Sequence, residues 1–351
     1  MIEAICTEIR LWVRHNPLPQ NFSVGSVYIG GGTPSLLQEQ ELALLLDTVF
    51  ACFPVDPSAE ITLEANPDDI SLAQLGVWKK IGINRLSVGL QSFSDEELRW
   101  MNRAHDAHAS EKCLQLIPDA GFVNYSIDLI YGSPWLSDRQ WEEHLSKIAK
   151  HKVPHVSCYA LTMESGTLLH RRVQKGIHPP PLQERQAAQF LLLMERMRSW
   201  GYRHYEISNF CQPGMLARHN SAYWQNSPYT GFGPSAHSYD GQRRRWNLSD
   251  NRSYIMALEN GMLPPAEEEV LTDVQRVNEY IMLALRTDRG MAKTELSKML
   301  DADRLRMLEQ GIADWVAAGK MVGDESRYLL TDDGKLFADG IAADLFFGES
   351  T

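Results

Sequence analysis

Between residues 24 and 161, short runs of β-branched and aromatic residues alternate with longer runs whose apolar positions recur every three or four residues. The first pattern has the period of a strand and the second that of a helix. Strands are predicted at 24–29, 61–63, 85–90, 125–130 and 156–161, and helices at 39–52, 72–81, 95–102, 109–120 and 137–151. Ser94 and Ser137 stand where an N-cap hydroxyl would accept a free backbone N–H, each followed by acids that suit the positive end of a helix. Five βα repeats in a row imply a parallel sheet, closed as a barrel or left open. After about residue 240 the texture changes. Residues 249–351 are helix-rich, and a short strand pair at 320–331 gives this part the pattern of a winged-helix-like module. Its acidic stretch DADRLRMLEQGIADW favours packing or partner contact over DNA reading. The expected division is therefore a barrel core at 1–240 and a second domain at 241–351.

A chain of 351 residues, 44% hydrophobic and 23% charged, can bury a sizeable core and falls outside the disordered and fibrous classes. Its formal net charge of -11 opposes condensation on a polyanion, so nucleic acid is not an expected partner. No apolar run is long enough to span a bilayer, and the opening MIEAICTEIRLWVRH is unlike a signal peptide, which points to the cytoplasm. Cys6, Cys52, Cys113, Cys158 and Cys211 are far apart along the chain, without a C-x2-C or C-x3-C pair. They read as isolated thiols in a reducing compartment, and no metal-ligating set is expected among them.

Polar residues follow the predicted strands one after another: Gly30-Gly31-Gly32-Thr33-Pro34 after the first, Glu64 after the second, Gln91 after the third, Asp128 within the fourth. In a parallel barrel the ligand site gathers at the carboxyl ends of the strands, so this succession implies a polar small molecule at the barrel mouth. Glycines let the backbone approach a ligand closely, although G-G-G-T-P alone fits a tight structural turn equally well. Glu64 can accept two hydroxyls of a ribose, Gln91 can serve a zwitterion, and Arg103 can pair with a carboxylate.

The strings VYIGGGTPSLL, LEANP, INRLSVGLQSFSDEELRWMNRAH and SIDLIYGSP, in this order and spacing, resemble the consecutive motifs of the radical S-adenosylmethionine proteins of the HemN and HemW group. The resemblance extends over nearly the whole chain. It implies a partial (β/α)6 barrel that binds S-adenosylmethionine through Gly31, Gly32, Thr33, Glu64, Gln91, Arg103 and Asp128, with Ala160 as a further contact. It also implies a C-x3-C-x2-C loop for a [4Fe-4S] cluster. The helix predicted at 2–14 corresponds to the one preceding the G-G-G-T-P strand, so that loop and its strand are expected upstream of Met1. Radical cleavage of the cofactor is then not expected from the residues present, and the strand at 24–29 would carry an unpaired edge.

A second motif is His219-Asn220-Ser221-Ala222-Tyr223-Trp224. A histidine can ligate heme iron, and aromatic neighbours offer flat faces to a porphyrin, yet a histidine beside Tyr and Trp is commonly a packed residue. H-N-x-x-Y-W resembles the motif associated with heme binding in HemW-type chaperones. It therefore implies heme at His219, Tyr223 and Trp224, and delivery of heme to a hemoprotein of the respiratory chain, a membrane-associated one among the candidates. The alternative is an oxygen-independent coproporphyrinogen III oxidase-like enzyme. Arg243, Arg244 and Arg245 could pair with heme propionates or form a solvated run, and His237 is expected only in support.

Overall fold

The computed structural model describes residues 1–348. Seven strands form one curled sheet in the order β1-β2-β3-β4-β5-β7-β6: β1 (Val24–Ile29), β2 (Val55–Ala65), β3 (Arg85–Gln91), β4 (Tyr125–Tyr131), β5 (His155–Ala160), β6 (Arg203–Glu206) and β7 (Asn209–Cys211). Neighbours from β1 to β5 pair in parallel. The sheet ends differently: β6 and β7 are a hairpin, and β7 runs antiparallel to β5. The expected partial barrel is thus a half-barrel whose last position is filled by a returning hairpin. β1 is the opposite edge, hydrogen-bonded within the sheet to β2 only.

The helices of this part are α1 (Ile2–His15), α2 (Glu39–Cys52), α3 (Leu72–Lys80), α4 (Asp95–Trp100), α5 (Ala107–Asp119), α6 (Asp138–His151), α7 (Leu168–Gln174), α8 (Gln183–Ser199) and α9 (Arg218–Trp224). Leu42 and Leu46, Leu75 and Trp78, Leu114 and Ile117, Trp141 and Leu145, and Phe190 and Met194 form apolar stripes at helical spacing. They pack on the outer face of the sheet against Leu63, Leu86, Val88, Ile127, Leu129 and Val156. Full burial of each such side chain contributes about 1.5–3 kcal/mol, which fixes the curl and leaves the inner face free for polar residues.

Caps set the helix starts. Ser137 and Gln140 form a reciprocal capping box at α6. Ser94 stands at the N-cap of α4 but makes no side-chain cap bond. The Ser92 hydroxyl ties this turn to the helix instead: it accepts from Ser94 N at 3.0 Å and donates to buried Glu97 at 2.7 Å.

Beyond the barrel, β8 (His237–Tyr239), β9 (Arg243–Asn247) and β10 (Ala266–Val270) form an antiparallel sheet, with α10 (Asn251–Glu259) between the last two. The division expected at residue 240 falls in the turn between β8 and β9. There follow α11 (Asp273–Leu285), β11 (Met291–Ala292), α12 (Lys293–Met299), α13 (Ala302–Ala317), β12 (Met321–Gly323) and β13 (Arg327–Leu330), then α14 (Asp332–Lys335) and α15 (Ala338–Asp344). Helix, strand, two helices and a strand pair, with a core of its own around Ile281, Met291, Leu296, Ile312 and Ile341, make the winged-helix-like pattern. The parts are tied together by Glu8 of α1. It is buried and accepts from Gly233 N at 2.8 Å, Asn247 Nδ2 at 2.7 Å and Tyr254 OH at 2.5 Å.

Candidate functional site

Successive residues of a strand point to opposite faces, and here the inner face is mostly polar. β1 contributes Ser26 and Tyr28, β2 Glu60, Thr62 and Glu64, β3 Arg85, Ser87 and Gln91, β4 Ser126 and Asp128, and β5 His155, Ser157 and Tyr159. Most strands of a doubly covered parallel sheet are apolar on both faces; this sheet wraps a polar chamber instead.

At the carboxyl ends of the strands the residues expected for S-adenosylmethionine come together. Glu64 Oε1 accepts from Tyr28 OH at 2.9 Å, and Oε2 accepts from Gly31 N at 3.2 Å. Gly31 and Gly32 have φ of 81° and 120°, backbone that favours glycine. A Cβ on Gly30 would lie 2.8 Å from Glu64 Cδ and Tyr28 Cε1, so the loop is pressed against both side chains. Gln91 ends β3 with φ 66°, at a register shift against β4, a strained conformation of the kind that clusters at ligand sites. Arg103 crosses from the loop after α4 and donates to Asn66 Oδ1 at 3.0 Å and the Gly89 carbonyl at 3.2 Å. Burial pushes the Asp128 carboxyl up to about 6, against the pull of Ser157, Arg85 and Arg103. Thr33 caps no helix by its side chain, and Ala160 closes β5 opposite Tyr131.

Deeper in the chamber lies a set that residue spacing alone had not singled out. Glu60 and Arg85 are both almost fully buried, with Arg85 Nε 3.7 Å from Glu60 Oε2. Glu60 accepts from Arg218 N and His219 N, each at 3.0 Å, and so holds the start of α9 against the sheet. His155 Nε2 meets Tyr205 OH at 2.8 Å, and Asn220 Nδ2 donates to the same hydroxyl at 2.9 Å. Burial, and then the nearby Arg85 charge, drives the His155 pKa well down and keeps the ring neutral. Alternating polar residues in E-I-T-L-E, R-L-S-V-G-L-Q and H-V-S-C-Y were the available signal.

α9 carries the H-N-x-x-Y-W motif and lies against β1. His219 Nδ1 is 3.0 Å from Ser26 Oγ, and its ring stacks on Tyr28 with centroids 4.9 Å apart. Nε2 makes no hydrogen bond among the described residues. Burial lowers the His219 pKa, with Glu60 opposing and Arg85 assisting, which favours the neutral imidazole that a metal requires. Tyr223 and Trp224 line a cavity of about 270 Å³ together with Tyr229, Tyr239, Arg244, Met282 and Arg286. His219 is not in its lining. The structure thus joins His219 to Tyr28, which bonds Glu64, while Tyr223, one turn on from His219 along α9, and Trp224 line the aromatic cavity. Arg286 lies 5.5 Å over the Trp224 ring, and His237 stacks on Trp246 away from α9.

A backbone-rich loop, a carboxylate that accepts from a hydroxyl and an arginine stand at the mouth, a donor and acceptor set with the chemistry that a nucleoside joined to an amino acid needs. An iron–sulfur cluster is a different matter. Among the described residues no three His, Cys, Asp or Glu side chains converge as metal ligands, and the five thiols stand apart. These residues therefore do not fit a cluster.

Residues 8–148 match the model of the Radical SAM superfamily. The chain is 32% identical over 326 residues to the heme chaperone HemW of Bacillus subtilis, covering 92% of this chain and 86% of that protein. Identity to the heme chaperone HemW of Mycobacterium tuberculosis is 36% over 327 residues, covering 92% and 81%. Coproporphyrinogen III oxidase (HemN) from Escherichia coli superposes with a TM-score of 0.82 at 22% identity, over 98% of this chain and 82% of that one, a likeness of fold.

Proposed function

Because this chain belongs to the HemW heme-chaperone family of radical SAM proteins, we propose that it binds heme at α9 and delivers it to a hemoprotein of the respiratory chain, acting from the cytoplasm. The observation that carries this reading is the mounting of His219. A histidine that ligates a metal has its other ring nitrogen held by a neighbouring group, and Ser26 holds Nδ1 while Nε2 is left without a protein partner. Tyr28 stacks on the ring and Glu60 fixes the two backbone N–H groups that aim it.

S-adenosylmethionine belongs to the barrel mouth in this account. Glu64 would take the ribose hydroxyls, Arg103 the carboxylate, and the Gly31–Gly32 backbone the methionyl end. With a cluster, S-adenosylmethionine supplies a carbon radical to proteins of this superfamily. The side chains of this chain bind and orient the molecule and hold a protonatable carboxyl at Asp128. Tyr28 touches both Glu64 and His219, so the two ligands share one side chain. The two-unit division gives the barrel the ligand-bearing residues and the C-terminal unit the far wall of the Trp224 cavity. No helix among the described residues is long and apolar enough to cross a membrane.

The test is transfer. Heme-loaded chain is mixed with a heme-free respiratory hemoprotein, and the acceptor's spectrum and activity are followed. Recovery of both supports the chaperone. Turnover of coproporphyrinogen III to protoporphyrinogen IX without heme transfer would replace it by the oxidase reading.

A further inference from the structure

We propose that the carboxylate arms of the porphyrin are held by Arg218 and Arg289, in a cavity at the seam between the barrel and the C-terminal unit; this rests on the heme reading above. The run Arg243–Arg245 is the obvious propionate partner in the sequence, and the fold occupies it. β9 lies antiparallel to β10, which sets Arg244 opposite Glu269, Arg245 opposite Glu268 and Trp246 opposite Glu267. Arg244 is ion-paired with Glu279. Arg245 Nε is 3.9 Å from Glu268, and its Nη1 donates to Asn247 at 3.2 Å. Opposite charges across a strand pair neutralise each other, so Arg244 and Arg245 offer little positive charge to a ligand; Arg243 stands opposite Val270, on the outer end of the pair.

Two arginines without an ion pair among the described residues, Arg218 and Arg289, lie together elsewhere. A cavity of about 350 Å³ is bounded by Arg203 of β6, Arg218 at the start of α9 and Arg289 in the turn after α11. Asp288, the acidic residue of its wall, is engaged by Arg203 through bonds of 2.5 and 3.1 Å. Arg218 donates one nitrogen to the Ser58 carbonyl at 2.8 Å and keeps the rest of its fork. The Arg289 side chain has no hydrogen bond or ion pair among the described residues. Three cations against one acid leave this wall positive within a chain of net charge -11.

The remainder of the wall suits a ligand that is apolar as well as anionic. Leu216, Ala222 and Trp224 line the cavity, and a guanidinium beside such a surface binds a carboxylate in paired, charge-assisted bonds. The volume lies near the lower end for small-molecule sites, enough for two carboxylate arms and one edge of a macrocycle. The aromatic cavity of about 270 Å³ shares Trp224 and Ser227 with it, so apolar surface continues beside the arginines.

The test compares heme with its uncharged dimethyl ester, titrated into the full chain and followed at the Soret band. Heme is expected to bind about tenfold or more tighter than the ester, the scale of a charge-assisted pair. R218Q/R289Q should bind the two alike, R218K/R289K should recover part of the preference, and R243Q/R245Q should keep it. Arg218 and Arg289 are exposed, and circular dichroism checks that the variants fold. Equal binding of heme and ester to the unmodified chain overturns the proposal and spares the heme reading, as does a preference that survives in R218Q/R289Q. No Soret change with either porphyrin overturns both.

Discussion

Asp128→Asn is expected to stabilise the fold at neutral pH while weakening the ligand site. Asp128 projects into the polar chamber, and burial raises its carboxyl from 3.8 in a free side chain to about 6. Between those values the folded chain holds a proton that the unfolded chain releases. The group therefore costs nothing below about pH 3.8 and costs stability increasingly as pH rises toward and past 6. Two units correspond to about 3 kcal/mol at pH 7.5, and about half of that remains at pH 5. Asparagine fills the same space without the charge. For a chain of this length, with about 2.1 cal/mol/K of unfolding entropy per residue, the variant should melt about 4 °C higher at pH 7.5. Melting curves of both proteins at pH 7.5, 5 and 4 make the comparison, and the gap should close as pH falls. An equal or lower melting temperature for the variant at pH 7.5, or a gap independent of pH, would refute the reasoning. Calorimetry should show the cost in function as weaker S-adenosylmethionine binding.

Glu60→Gln leaves Arg85 buried without its countercharge and should cost about 3 kcal/mol, seen as melting about 4 °C lower; a change under about 1 °C would remove Glu60 as the anchor of α9. Tyr28→Phe keeps the ring under His219 but loses the bond to Glu64, so S-adenosylmethionine should bind about fivefold more weakly while the Soret maximum of bound heme stays in place. The opposite pattern, normal S-adenosylmethionine affinity with altered heme, would contradict the assignment of Glu64. Ser26→Ala frees the imidazole of His219, and loss of such an orienting group should weaken heme about tenfold. Unchanged affinity would show that Ser26 orients nothing the heme uses.

Much of the architecture was legible in the chain. The runs at 24–29 and 85–90 fall on β1 and β3 because their outward residues, Val27, Ile29, Leu86, Val88 and Leu90, pack under helices with matching stripes. Gly31, Glu64 and Gln91 could be placed at the mouth from the sequence because they stand at the carboxyl ends of β1, β2 and β3. The chamber was harder to see. Glu60 and Arg218 are 158 residues apart and meet only when α9 lies against the curled sheet. His219 looked like a neighbour of Tyr223 and Trp224 because it is close in sequence, but its ring is held by Ser26 and Tyr28 on the sheet. The arginine run, read as a propionate partner or a solvated run, is placed by a similar long-range pairing. Glu268 and Glu269 follow it in sequence, and only strand pairing shows that they stand opposite Arg245 and Arg244. Ser94 stands at the N-cap without the expected side-chain bond, and it is the Ser92 hydroxyl that reaches the buried carboxylate of Glu97 in the first turn.

The most direct test of the central claim, that heme binds through His219 on α9, is a Soret titration of the unmodified chain beside His219→Ala. The account predicts one heme per chain with a ligated spectrum, and for the variant a shifted spectrum with weaker binding. An unchanged spectrum and affinity in His219→Ala would contradict it.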